Sequence, residues 1–408
     1  MHHEEALKVL VEDLTAQGID VDRVKGQLKQ QKIEQPSWGF GDSGTRFQIF
    51  RQAGVPRNLY EKLDDVAHIH KLTGIAPSVA IHIPWDKTDD WEQLKAYVDG
   101  LGITIGAVNP NLFQEQEYKL GSFGNEDPRI RKKALDHHFE CIDIMNIVGS
   151  KYLSLWYADG TNFPGQGNFI RRKHYFEENL AAVYEKLVDD QQLLLEYKCF
   201  EPAFYHTDIP DWGTAFTLCA KLGGRAKVLV DLGHHLLGTN IEQIVAILID
   251  ENRLGGFHFN NKKYADDDLT VGSINPYELY LIYVELVNAE QQQGDAFQPA
   301  YMVDQCHNLK PKHEAMIQTL MTLQTAYAKA LIVDRDSLEN AQKEGNVLDA
   351  EQIIVKAFNT NVEPLLQQVR IEMGLEPDPL QAHRASGYFE KVAEERKEAL
   401  PGQTSGWG

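Results

Sequence analysis

Cysteine is scarce in this chain: Cys141, Cys199, Cys219 and Cys306 are the only 4 among 408 residues. They show no C-x-x-C spacing, and so few in so long a chain make no disulfide framework, which points to a reducing cytoplasm. Basic residues are also in deficit, Lys+Arg 40 against Asp+Glu 60, for a net charge of -20. That field repels phosphate backbones and argues against a nucleic-acid partner. It does not repel a neutral sugar, and it suits divalent cations. No apolar run reaches the length of a membrane span. The start, MHHEEALKVLVEDL, is acidic and amphipathic, unlike a secretory signal. The expectation is a soluble cytoplasmic protein with no membrane partner.

Hydrophobic residues, at 43%, are ample for a large core. Short apolar runs alternate with helical stretches along most of the chain. An N-terminal helix is predicted over 3–16, and a first strand near Trp38 to Phe40. Seven further strands follow: SVAIHIP, ITIGAVN, KYLSLWY, LLLEY, AKVLVDL, GGFHFN and AYMVDQ. Helices are predicted between them and over 313–332. Such alternation predicts a parallel sheet with helical crossovers. Eight units closing on themselves give an α/β fold, a (β/α)8 TIM barrel with an N-terminal helix and a C-terminal helical extension. An open doubly wound sheet is the alternative, set aside for want of a dinucleotide fingerprint after the first strand. The barrel is expected over 1–335. Residues 336–408 carry no strand signal and read as a helical extension, packed on a neighbouring subunit or folded back on the same barrel.

The acidic and histidine residues fall at telling places. Glu196, Asp231, His258 and Asp304 each end an apolar run: LLLEY, VLVDLGHH, GGFHFNN and YMVDQ. Alone, an Asp at a strand end is usually a helix cap. Together, at strand ends that converge on a barrel axis, three carboxylates need a cation, and carboxylate with imidazole suits a divalent ion. A second group stands beside the first. His234 lies three residues after Asp231, and Asp266 and Asp268 alternate in YADDDL. These three can hold a second ion, with Asp231 bridging both. Two such ions polarise a substrate oxygen and activate a water. Lys198 shares a strand face with Glu196 and either steadies a developing oxyanion or simply balances the charge of Glu196. Trp38, His82, Phe113 and Trp156 follow the first four strands and can line a sugar pocket. The loop with Gly39, Gly41, Gly44, Phe47 and Phe50 reads either as a lid, with Phe47 meeting the substrate, or as an ordinary surface loop.

The pieces PSWGFG, HIPWD, LWYADG, LEYK, VDLGHH, HFNNKKYADDDL and VDQCHN, spread over 36–308, resemble the broad-specificity bacterial L-rhamnose isomerases of the xylose-isomerase-like barrel superfamily. The resemblance implies a homotetramer with two divalent ions per subunit, Mn²⁺ first and Co²⁺, Mg²⁺ or Zn²⁺ next. It implies that Glu196, Asp231, His258 and Asp304 hold a structural ion that also meets substrate hydroxyls, and that His234, Asp266 and Asp268 hold the catalytic one. Trp38, His82, Phe113 and Trp156 would surround the sugar. Cys306 departs from the family, where serine is frequent, and a thiol is the poorer hydrogen-bond donor. The implied reaction is aldose–ketose isomerisation by hydride shift from C2 to C1, with L-rhamnose as substrate and D-allose as a related one. A ketose 3-epimerase on the same barrel is the nearest alternative. A metal-dependent endonuclease is disfavoured by the charge, and an inert sugar-binding protein would have no need of so many ligands.

Overall fold

A computed structural model describes residues 3–44, 49–200, 206–306 and 309–397. Eight parallel strands close in chain order into a barrel: β1 (Glu34–Pro36), β2 (Ser78–Ile83), β3 (Thr104–Pro110), β4 (Tyr152–Leu155), β5 (Gln192–Glu196), β6 (Ala226–Asp231), β7 (Leu254–Phe259) and β8 (Ala300–Val303). The seam is the pairing of β1 with β8, Glu34 opposite Met302. Helices α1 (His3–Ala16) and α2 (Val21–Gln30) precede the barrel. The crossovers are α3 (Leu59–Thr73), α4 (Trp91–Leu101), α5 (Pro128–Val148), α6 (Phe169–Lys186), α7 (Trp212–Leu222), α8 (Ile241–Asp250) and α9 (Pro276–Gln293), and α10 (Lys312–Leu331) follows β8. The strands are apolar on both faces because helices cover the outside and neighbouring strands fill the inside.

Two details differ from the sequence expectation. The first strand lies at Glu34–Pro36, and Ser37–Phe40 forms a 3-10 turn. Pro36 has no N–H for the sheet ladder, and the strand ends there, which swings Trp38 inward. Helix α2 was not expected. Its mean composition is polar, and only Val21, Val24 and Leu28 are buried. The run Gly39–Gly44 does have G-x-G-x-x-G spacing, but it leads from the 3-10 turn into a two-residue strand, Ser43–Gly44, not into a helix. It is no dinucleotide turn.

The barrel interior holds its own small apolar cluster of Trp38, Ala80, Ala107, Leu194, Leu229, Ala300 and Met302, separate from the main core under the helices. Strand side chains alternate between faces. Two residues beyond Ala80, Leu194, Leu229 and Met302 come His82, Glu196, Asp231 and Asp304. The polar layer is therefore the next rung up the inside of the barrel, at the carboxyl ends of the strands.

Past α10 the chain is helical: α11 (Arg335–Lys343), α12 (Val347–Asn359), α13 (Glu363–Glu372), α14 (Pro379–Ala385) and α15 (Tyr388–Glu395). These helices fold back on their own barrel, α13 against α1, α2 and α10, and α14 against α3 and α10. The buried Arg370 donates to Gln324 (3.0 Å) and to the carbonyl of Pro377 (2.9 Å). Arg396 clamps the α3 carboxylate of Asp65 at 2.8 and 3.0 Å. Among the described residues no helix is long and apolar enough to cross a membrane, and the four cysteines are free thiols.

Where α14 and α15 meet α3, three imidazoles crowd together. His68 Nε2 lies 3.0 Å from His383 Nδ1, and His68 stacks on Tyr388 with ring centroids 3.8 Å apart. Burial, then the neighbouring His383 and His313, hold His68 down to about 4. In the unfolded chain the ring titrates near 6.5. Unfolding therefore takes up a proton between these values, so the stability that His68 contributes is complete above pH 6.5 and is lost as pH falls toward 4. The urea midpoint should drop over that window, and a His68→Gln variant should show a shallower drop. Parallel curves would refute the assignment.

Candidate metal centre

Glu196, Asp231, His258 and Asp304 converge as the sequence expectation had it. One ligand atom from each lies within 4.8 Å of all the others, and a second set, Asp231, His234 and Asp266, meets the same test. Donors around a divalent ion sit about 2.0–2.6 Å from it, so opposed donors lie about 4–5 Å apart. Asp231 belongs to both sets. His258 Nδ1 is 3.1 Å from Glu196 Oε1, 3.7 Å from Asp304 Oδ2 and 3.9 Å from Asp231 Oδ2. His234 Nε2 is 3.4 Å from Asp266 Oδ2 and 4.0 Å from Asp231 Oδ1.

Neighbouring groups aim these ligands. Trp38 Nε1 donates to Asp304 Oδ1 at 2.8 Å. Asn260 Nδ2 donates to both oxygens of Asp231, at 3.0 and 3.1 Å, and the Gly233 N–H donates to Oδ1 at 2.6 Å. Asn261 and Leu269 exchange backbone bonds, which pinches the intervening loop and folds Asp266 back over the barrel mouth. Asp268 takes a left-handed φ of 45° in that loop, a conformation Asp tolerates better than most residues. Its carboxylate joins neither set, although it feels the charges of Asp266, Asp304 and Asp231.

The electrostatics ask for a cation. Burial pushes Asp231 up to about 7, and it also raises Asp304 and Asp268. Burial works against the charge on Glu196 too, but His258 and then His234 bring it down to about 2. Against its own burial, His258 is raised to about 9 by Glu196, Asp304 and Asp231. Here imidazolium protons hold the carboxylates together, a task a divalent ion performs better. Among the described residues, buried Asp266 Oδ1 and His258 Nε2 have no hydrogen-bond partner. The donor set, its spacing and these spare atoms all fit divalent ions.

The wall is aromatic. Trp38 meets His82 edge-on at 5.7 Å, His82 meets Phe113 at 5.9 Å, and Phe113 meets Trp156 at 4.9 Å. Lys198 Nζ lies 4.9 Å over the Trp156 ring and donates to Asp266 Oδ2 at 2.9 Å. The expected pocket residues thus form one arc that ends on the second ligand set. Phe47 lies outside the described residues. Cys306 Sγ contacts the Trp38 carbonyl at 3.9 Å.

Several contributors were not read from the sequence. Trp85 packs 4.1 Å from His82. Asp86 accepts from the His82 backbone N–H at 2.8 Å, from Ser37 Oγ, and from Lys62 Nζ at 2.6 Å. Asn260 was legible in principle, since it follows His258 by two and shares its face.

A family model described as "Xylose isomerase-like TIM barrel" matches residues 66–278, more than half of the chain. The chain belongs to the xylose isomerase-like TIM barrel family. Similar relatives agree. A "Probable sugar isomerase" of Rhizobium meliloti is 46% identical over 94% of this chain and 90% of its own length. Another, of Mesorhizobium japonicum, is 44% identical over 98% of this chain and 93% of its own length. Among solved structures, a 3-keto-D-glucoside 4-epimerase from E. coli superposes with a TM-score of 0.53 at 14% identity, covering 72% of this chain and 100% of that one. At that identity the likeness concerns the fold alone.

Trp38 tests the aiming of a ligand. Trp38→Phe keeps the ring but removes the N–H that holds Asp304. Losing such a supporting bond costs about 10–100-fold in metal affinity, so Mn²⁺ titrated into metal-free protein should bind that much more weakly. Unchanged affinity would show that Asp304 does not need this bond.

Proposed function

We propose that this protein is an aldose–ketose isomerase that converts L-rhamnose to L-rhamnulose and also accepts related aldoses such as D-allose. The observation that carries the reading is the pair of ligand sets sharing Asp231 beside Lys198, under an aromatic arc. The two relatives named probable sugar isomerases support the reaction class, and the sequence pieces resembling L-rhamnose isomerases support the substrate. The same resemblance supports Mn²⁺ and a homotetramer.

Glu196, Asp231, His258 and Asp304 would hold one divalent ion; His234 and Asp266, with Asp268 swinging in, the other. Bound there, the ions would supply Lewis acidity that polarises the sugar oxygens. The chain does the rest. Trp38, Phe113 and Trp156 pack the apolar face of the open-chain sugar and shed water from it. His82 is kept neutral by burial at about 3, and its Nδ1 has no hydrogen-bond partner among the described residues. Lys198, with its charge set against Asp266, steadies negative charge on a substrate oxygen. The hydride leaves C2 for C1, O2 loses its proton and O1 gains one, which balances aldose against ketose.

The test is turnover of L-rhamnose by EDTA-stripped protein before and after Mn²⁺ is added. Ketose formation should fall to background and return with the ion. No ketose from any aldose under metal-replete conditions would overturn the reading. Solvent exchange at C3 of a ketose would instead establish the 3-epimerase.

A further inference from the structure

The turn after β6 carries two successive histidines, His234 and His235, and the proposed reaction uses only the first. His235 belongs to neither ligand set, yet it is buried. Its ring meets Tyr197 edge-on, with centroids 5.3 Å apart, and its Nε2 and the Tyr197 hydroxyl are hydrogen-bonded at 2.6 Å. Tyr197 comes directly after Glu196, the last residue of β5, and its ring lies in the main core under the helices. At the other end of the same tyrosine, the backbone carbonyl accepts from His234 Nδ1 at 3.1 Å. Two adjacent histidines thus grip one tyrosine, one by its carbonyl and the other by its hydroxyl. The turn is pinned from a third side, where Lys262 Nζ, from the loop after β7, donates to the His235 carbonyl.

The grip has a chemical consequence. A carbonyl can only accept, so it calls for a proton on Nδ1, and a neutral imidazole with its proton there has a bare Nε2. Nε2 is the nitrogen that faces Asp231 and Asp266. Glu196 Oε1 lies equally close to Nδ1, at 3.1 Å, but that carboxylate belongs to the first ligand set. The Tyr197 carbonyl is the acceptor that serves His234 alone. A ring held by one bond can still swing about it. The bond from His235 to Tyr197 fixes where that carbonyl stands relative to the turn, and so limits the swing.

We infer that His235 and Tyr197 are positioning residues, which together hold the His234 imidazole so that an unprotonated Nε2 completes the second ligand set. This role rests on the two-ion reading above, whatever the sugar.

Mn²⁺ titrated by calorimetry into the EDTA-stripped full chain reads the two ligand sets as two binding events. Tyr197→Phe and His235→Leu should each weaken one event about 10–100-fold, the effect of removing a bond that orients a ligand, and leave the other within about twofold. His235→Gln, which keeps a hydrogen-bonding group on a side chain of similar reach, should recover most of the loss. Melting in EDTA separates this role from packing, since a variant that only loosens the core would weaken both events alike. Equal losses in both events, or no loss in any variant, would overturn the positioning role and leave the two-ion reading intact. A single ion bound by the unaltered protein would overturn both. Selective loss in a protein that forms no ketose would uphold the positioning role and remove the isomerase reading.

Discussion

Asp231→Asn should lower kcat/KM for L-rhamnose by about 10³-fold or more while leaving the metal-free protein as stable as before or more so. Asp231 is the one ligand common to both sets, so losing its charge weakens both at once. Its carboxylate is fully buried, held by Asn260 and the Gly233 N–H, and pushed up to about 7 chiefly by burial. A raised carboxyl disfavours the charged folded state at neutral pH. Removing the charge relieves that cost when no ion is present. Activity and stability therefore move in opposite directions, as expected where function imposes strain on a fold. Steady-state kinetics with Mn²⁺ and thermal melting in EDTA measure the two arms. Retention of a tenth of the activity would be inconsistent with a shared ligand, and a collapsed melting temperature would show that Asp231 is structural.

The second large effect lies behind the pocket. Lys62 and Asp86 form an ion pair at 2.6 Å with side chains 2% and 0% exposed. Lys62→Met leaves Asp86 buried and without its cation, while Ser37 and the His82 N–H still bind it. Breaking such a pair costs about 3–5 kcal/mol, which urea denaturation reads directly. A loss below about 1 kcal/mol would show that solvent reaches Asp86. Asp86 positions both the 3-10 turn that carries Trp38 and the end of β2 that carries His82, so KM for the sugar should rise with the loss of stability.

The sequence made the upper rung of the barrel readable for a physical reason. Glu196, Asp231, His258 and Asp304 each end a short apolar run, and a polar group at the end of a buried strand stands out whatever surrounds it. Trp38 and Trp156 were readable because tryptophan is rare, 6 in the chain, and both follow predicted strands. What stayed hidden depends on distance in three dimensions. Nothing about Lys62, in the first turn of a helix with ordinary spacing, announces that it is buried against a residue from another element. The strand at Glu34–Pro36 is too short for alternation to show, and a proline at its end reads as a turn. Asp268 was grouped with Asp266 because alternate residues share a face in an extended chain. The left-handed φ at Asp268 breaks that rule, and no single-sequence pattern signals it.

The bond from Trp38 to Asp304 crosses the seam of the barrel and joins residues 266 positions apart in the chain. During synthesis, Glu196, Asp231 and His258 all emerge before Asp304, and β1 waits for β8 to be made. The centre is therefore complete only once the last strand has paired with the first. Closing so long a loop costs little more entropy than closing one half its length, so the delay is one of order, not of stability. A nascent chain has no finished ligand cluster, and any ion the cluster takes would be chosen by the folded barrel.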